Sequence, residues 1–211
     1  QDHVAVWTGS EVLVWGGIIG GESLATGIHW NPGTNDTQLI SHTQAPEARS
    51  SAVAVWTGTE MIVWGGLGEA GALNTGGRYT PATRTWTPMT TVDAPVARYG
   101  HQGVWTGSEF IVYGGRDGGI YHGDGAKYNP QTNSWSPLPN LNAPIGRVGH
   151  SMVWDGSKVI VWGGTNGGLG LQGGGIYNPA GNTWTLLNPG QANEPLGRYH
   201  HRAVWLDGNM Y

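Results

Sequence analysis

Apolar runs of four residues punctuate the chain: VLVW at 12–15, MIVW at 61–64, FIVY at 110–113 and VIVW at 159–162. They show neither the alternation of a half-exposed strand nor the 3.6-residue stripe of an amphipathic helix. Each is therefore expected to be a short strand covered on both faces. A tryptophan (Trp7, Trp56, Trp105, Trp154, Trp205) precedes each run or the chain's last segment, stepping by 49, 49, 49 and 51 residues. Between tryptophan and run lies a tight turn: Thr8-Gly9-Ser10, Thr57-Gly58-Thr59, Thr106-Gly107-Ser108 or Asp155-Gly156-Ser157. Glycine there supplies the positive φ of a hairpin.

Three further markers keep the step of 49: the diglycines Gly16-Gly17, Gly65-Gly66, Gly114-Gly115 and Gly163-Gly164; the aromatics Trp30, Tyr79, Tyr128 and Tyr177; and Trp86, Trp135 and Trp184. The first repeat lacks the last tryptophan and has Leu39 near its place, after a slight length change. Each repeat reads as four strands: A ending at the first tryptophan, B the apolar run, C ending at the aromatic, and D carrying the second tryptophan. A glycine-rich loop joins B to C. Turns such as Asn129-Pro130-Gln131-Thr132-Asn133 join C to D. Proline-bearing connections (Ala94-Pro95, Ala143-Pro144, Glu194-Pro195) lead to the next A.

No four-stranded unit of this size buries both faces alone, but copies stacked around an axis do, which predicts an all-β propeller. The repeats fall at about 1–48, 49–97, 98–146, 147–197 and a partial 198–211, within a single domain. Four near-complete blades and the start of a fifth suggest part of a larger ring.

Composition narrows the chemistry. Glycine is 38 of 211 residues, yet 12 tryptophans and 8 tyrosines supply core-forming surface that a disordered chain lacks. Charged residues are 11% and the net charge is −4, which leaves no electrostatic footprint for nucleic acid or an anionic membrane. No apolar stretch is long enough to span a bilayer. There is no cysteine, so disulfides, thiolate metal sites and cysteine nucleophiles are absent from this chain. Neither G-x-S-x-G, H-E-x-x-H nor a P-loop occurs.

The markers together resemble the kelch repeat: an apolar run, a diglycine, a later tyrosine before a turn, then a tryptophan. Gly114-Gly115, Tyr128 and Trp135 carry the pattern in one repeat, and Gly163-Gly164, Tyr177 and Trp184 in the next. The Arg-x-x-His start of strand A is also kelch-like at Arg98/His101, Arg147/His150 and Arg198/His201; the second repeat departs, with Ser50, Ser51 and Ala52 after Arg49. The resemblance implies a β-propeller of about six or seven blades. It specifies fold more than function, since kelch propellers host many roles.

Antiparallel strands send the B–C and D–A connections to one face and the short A–B and C–D turns to the other. The first set varies between repeats, which on a rigid scaffold is where recognition is expected. Candidate ligand-binding residues there are Arg49, Arg98, Arg147, Arg198, Tyr99, Arg116, Asp117, Tyr121, His122 and Tyr199. The four recurring arginines fit either an anion clamp for acidic peptides or sugars, or braces for the D–A crossover. The tyrosines suit stacking on sugar rings or peptide side chains. His101, His150 and His201 read as packed strand residues, so no metal or other cofactor is expected.

The expected function is therefore non-catalytic recognition of a protein or glycan. One alternative is a carbohydrate-active enzyme of the sugar-acid mutarotase kind, using arginine with Glu69 or His101 as acid/base. A galactose-oxidase-like copper-radical site, also implied by the resemblance, needs a cysteine this chain lacks. Another alternative is a structural module that self-associates through open propeller edges. The lysine-poor, Trp-Thr-Gly-Asn-rich repeats resemble those of bacterial exported or cell-surface kelch proteins, and that resemblance implies an extracellular or cell-envelope protein of a bacterium.

Overall fold

The computed structural model describes residues 1–190 and 194–211, so the connection into the last repeat lies partly outside the described residues. Four antiparallel sheets of four strands follow one another, one per repeat. Blade 1 comprises Val4–Trp7, Val12–Trp15, Gly27–Asn31 and Asp36–Leu39 as strands A to D. Blade 2 comprises Val53–Trp56, Met61–Trp64, Gly76–Thr80 and Thr85–Pro88. Blade 3 is built from Gln102–Trp105, Phe110–Tyr113, Gly125–Asn129 and Ser134–Pro137, and blade 4 from Ser151–Trp154, Val159–Trp162, Gly174–Asn178 and Thr183–Leu187. Trp205–Leu206 and Asn209–Met210 pair as the first hairpin of a fifth unit. No described residue is helical. The blades group into two compact units, Gln1–Tyr99 and Gly100–Tyr211.

Strand register explains the sequence markers. In blade 2, Trp56 lies opposite Met61, Met61 opposite Tyr79, and Tyr79 opposite Trp86. The marker residues thus form one cross-strand row, on the same side of the sheet. Blade 4 repeats the row with Trp154, Val159, Tyr177 and Trp184. Within the first unit the blade 2 row joins Leu13, Trp15 and Ile40 of blade 1 in one buried cluster. Within the second unit the blade 4 row meets Ile111, Tyr113 and Leu138 of blade 3. Apolar area buried between blades, rather than within one, supplies the main stabilising term.

The same register corrects the first repeat. Trp30 lies opposite Thr37, as Tyr79 lies opposite Trp86. Thr37, not Leu39, occupies the tryptophan position, and no length change separates the two repeats. The row that Thr37 belongs to is partly exposed, Trp7 at 52% and Trp30 at 38%. Accordingly Val12–Trp15 buries only alternate residues, whereas Met61–Trp64 and Phe110–Tyr113 are buried throughout.

The diglycine has a double cause. Both residues take positive φ, 71° and 96° at Gly114-Gly115. A Cβ on Gly114 would lie 2.8 Å from the Arg147 carbonyl, where the next blade begins. A Cβ on Gly164 would meet Val148 O at 2.8 Å, in its own blade's approach to strand A. Two backbones converge there, and no side chain fits between them.

A second contact links successive strands A. Asp2 and Ser51 both have positive φ (58° and 52°), and Ser51 N donates to Asp2 O at 3.0 Å. In the second unit Gly149 and His200 take the same conformation, and His200 N donates to Gly149 O at 2.8 Å.

Candidate functional site

The B–C connection, expected to be loop, forms a short hairpin in three blades: Ile18–Ile19 with Glu22–Ser23, Leu67–Gly68 with Gly71–Ala72, and Arg116–Asp117 with Ile120–Tyr121. Two-residue turns close these hairpins. Blade 4 differs because Thr165 Oγ1 donates to Gly168 O at 3.1 Å and accepts from Gly167 N at 3.1 Å. Its Thr165 keeps the bridge to Val148, the equivalent of Ser50–Leu67 in blade 2.

The recurring arginines fasten this face. Arg147 N donates to His122 O (3.3 Å) and Arg147 O accepts from Gly115 N (2.8 Å), holding both ends of the blade 3 loop. Its guanidinium reaches into blade 4, where Nη1 donates to Gly163 O at 2.8 Å and Gly173 O at 3.2 Å. Nε turns back to Ile145 O at 3.0 Å. Arg49 does the same between blades 1 and 2, with Nη1 on Gly65 O (3.0 Å) and Thr75 O (2.7 Å) and Nε on Glu47 O (2.9 Å). Arg98 is fully buried, with Nε on Val96 O at 2.9 Å. Burial lowers Arg49 to about 10, partly offset by Glu47, and lowers Arg147 as well. Arg198 keeps the pattern through Nε on Leu196 O (3.1 Å), but its side chain is exposed.

The other candidates divide by accessibility. Arg116 and Tyr121 sit opposite each other on the blade 3 hairpin, both half-buried, and Asp117 is exposed. His122 Nδ1 is 3.9 Å from Asp124 Oδ1. Tyr199 is exposed and meets His200 edge-on at 5.3 Å. Tyr99, in the first unit, is half-buried. Glu69 is exposed at its hairpin tip, whereas His101 is buried.

The strand A histidines face neighbouring aromatics. His150 meets Tyr113 edge-on at 6.4 Å, and burial first, then Arg147, His101 and His201, lowers it to about 3. His201 meets Trp162 edge-on at 5.2 Å, with Nε2 2.9 Å from Ser151 Oγ. Among the described residues no group of three or more His, Asp or Glu side chains is placed to share a metal ion.

Sequence reasoning missed a set of exposed aliphatics on this face. Val96, Ile145 and Leu196 each stand between the proline and the arginine of a D–A connection, 57%, 59% and 78% exposed. The arginine Nε bonds hold those residues' carbonyls inward, leaving the side chains outward. Ile120 and Leu169 add exposed tips to the B–C connections of the second unit. The recurring Pro-aliphatic-x-Arg pattern was the available signal.

Sheets of four antiparallel strands, stacked through recurring aromatic rows and fastened by arginine, define the blades of a β-propeller repeat protein. The family model for the KLHDC2/KLHL20/DRC7 Kelch-repeats domain matches residues 2–211. The chain belongs to the kelch-repeat family. No curated protein matches it.

Proposed function

We propose that the chain is a non-catalytic recognition module that binds a protein partner through the face formed by its B–C and D–A connections. The observation that carries this reading is where the exposed apolar residues lie. Outside blade 1 and residues 204–211, all but Leu186 (Val92, Val96, Ile120, Leu141, Ile145, Leu169, Leu196 and Tyr199) belong to those connections. The A–B and C–D turns carry threonine, glycine, serine and asparagine instead. An apolar, charge-poor face suits protein surfaces better than acidic sugars. The buried guanidinium groups of Arg49 and Arg147 are engaged by carbonyls, which favours the bracing role over an anion clamp. Tyr121, Tyr199, Arg116, Asp117, His122 and Arg198 remain the candidate polar contacts. The test is a labelled chain applied to protein and glycan arrays. Protein binders lost on Tyr121→Ala or Tyr199→Ala support the reading; binding confined to glycans, or none, overturns it.

A second reading, self-association, is supported by the uncovered front of blade 1. Trp7, Trp30 and Leu39 are exposed there, beside a cleft of about 330 Å³ lined by Val14, Ile28 and Leu39. The equivalent row of blade 2 is covered by blade 1. Sedimentation velocity tests it: association that grows with concentration and vanishes in Leu39→Glu supports it, and a single monomeric species throughout rejects it.

A further inference from the structure

Strand D is an edge of every four-stranded sheet. Near its end stand Leu39, Pro88, Pro137 and Leu186, one repeat apart. The residue after each shows which way the backbone turns. Ile40 N donates inward to Gly27 O at 2.9 Å, Met89 N to Gly76 O at 3.2 Å and Leu138 N to Gly125 O at 2.9 Å. Facing residues of an antiparallel pair alternate between bonded and non-bonded, so Leu39, Pro88 and Pro137 turn their N and C=O to the open edge. Proline there has no N–H to offer, which closes blades 2 and 3 to a further strand. Blades 1 and 4 carry leucine instead, 73% and 45% exposed, and keep the donor.

Blade 1 is the more open of the two. All of Asp36–Leu39 is exposed, whereas Trp184 is buried within Thr183–Leu187. Thr37 lies opposite Trp30 as Leu39 lies opposite Ile28, so it too turns its N–H outward. The strand is self-complementary. Two copies laid antiparallel about Gln38 set Thr37 against Leu39 of the second copy, and Leu39 against its Thr37, so each outward N–H meets a carbonyl. Asp36 then faces Ile40 rather than a second Asp36, and no like charges meet. The Gln38 side chain is held toward blade 2, accepting from Arg84 Nη2.

We infer that the Asp36–Leu39 edge pairs antiparallel with the same edge of a second copy of this chain, joining two blades into one continuous sheet. The inference rests on the self-association reading and assigns its contact to an edge strand. A two-fold axis lets the same surface serve in both copies.

Sedimentation velocity over a range of concentrations, with backbone amide exchange read by NMR, tests it. The unaltered chain should form dimers, and the Thr37 and Leu39 amides should exchange more slowly as the dimer fills. Leu39→Pro, which copies blades 2 and 3, should weaken dimerisation about tenfold or more. Trp7→Ser, on the exposed face but in strand A, and Leu186→Pro should each leave it within about twofold. Circular dichroism melts check folding, and amide exchange of the unaltered chain decides the outcome should Leu39→Pro not fold. Association that survives Leu39→Pro and is lost on Trp7→Ser or Leu186→Pro overturns the edge pairing and leaves self-association standing. A monomer at every concentration overturns both and leaves the edge to a strand of another protein.

Discussion

The Tyr128 hydroxyl donates to Asn133 Oδ1 at 2.7 Å, and Asn133 is the residue with positive φ (49°) in the turn between strands C and D of blade 3. Tyr177 and Asn182 repeat the bond at 2.7 Å in blade 4. One residue type thus meets two demands, since asparagine tolerates the left-handed conformation and offers an acceptor. Where blade 2 has Arg84 in that place, the Tyr79 hydroxyl instead lies 2.7 Å from His29 Nε2 of blade 1.

Asn133→Ala should cost about 2 kcal/mol, from a lost hydrogen bond and a strained φ. Asn133→Gly should cost about 1 kcal/mol or less, because only the acceptor goes. Thermal melts resolve the two, at about 2–4 °C per kcal/mol for a chain of this size.

Arg147→Lys should destabilise by about 2–4 kcal/mol despite retaining the charge. One ammonium cannot bond Ile145 O, Gly163 O and Gly173 O together, and the released carbonyls are buried. Arg198→Lys, at the exposed equivalent, should change stability by about 0.5 kcal/mol or less. Equal losses for the two would refute the bracing role.

The Tyr113 hydroxyl lies 3.0 Å from Gly123 O and also meets Pro144 O, and its one proton is shared between the two carbonyls. Tyr113→Phe should cost about 1–3 kcal/mol by orphaning buried acceptors. Trp64 holds the equivalent place in blade 2 and its Nε1 donates to Asn74 O at 3.1 Å. Tyr113→Trp should therefore recover part of the loss in chemical denaturation, since its indole N–H supplies the missing donor.

Stability should fall with acidification between pH 6.5 and about 3 because of His150. Its folded pKa is depressed, so in that window the unfolded chain binds the proton and the folded chain does not. The slope is up to about 1.4 kcal/mol per pH unit for one such proton. His201, lowered by burial and then by Arg198 and Arg202, acts in the same direction. Melts of His150→Gln between pH 7 and 5 should be flatter than those of the parent; an unchanged slope would remove His150 as the cause.

The amino-acid sequence by itself determined the repeat period and the four strands of each repeat, because each marker answers a demand repeated in every copy. Trp56, Tyr79 and Trp86 recur as one cross-strand row, and Gly114-Gly115 recurs because two backbones meet there. It also showed that the copies differ in their B–C and D–A connections, where recognition is proposed. The tertiary structure alone decided what each side chain does once neighbouring blades are in place. Arg147 and Arg198 are equivalent in the repeat, yet one is buried against Gly163 O and Gly173 O and the other is exposed. Ile145 sits in an apolar position by pattern, yet it faces solvent because Arg147 holds its carbonyl inward. Such outcomes depend on desolvation and hydrogen bonding between segments about 16 to 26 residues apart or more, which a local pattern does not encode.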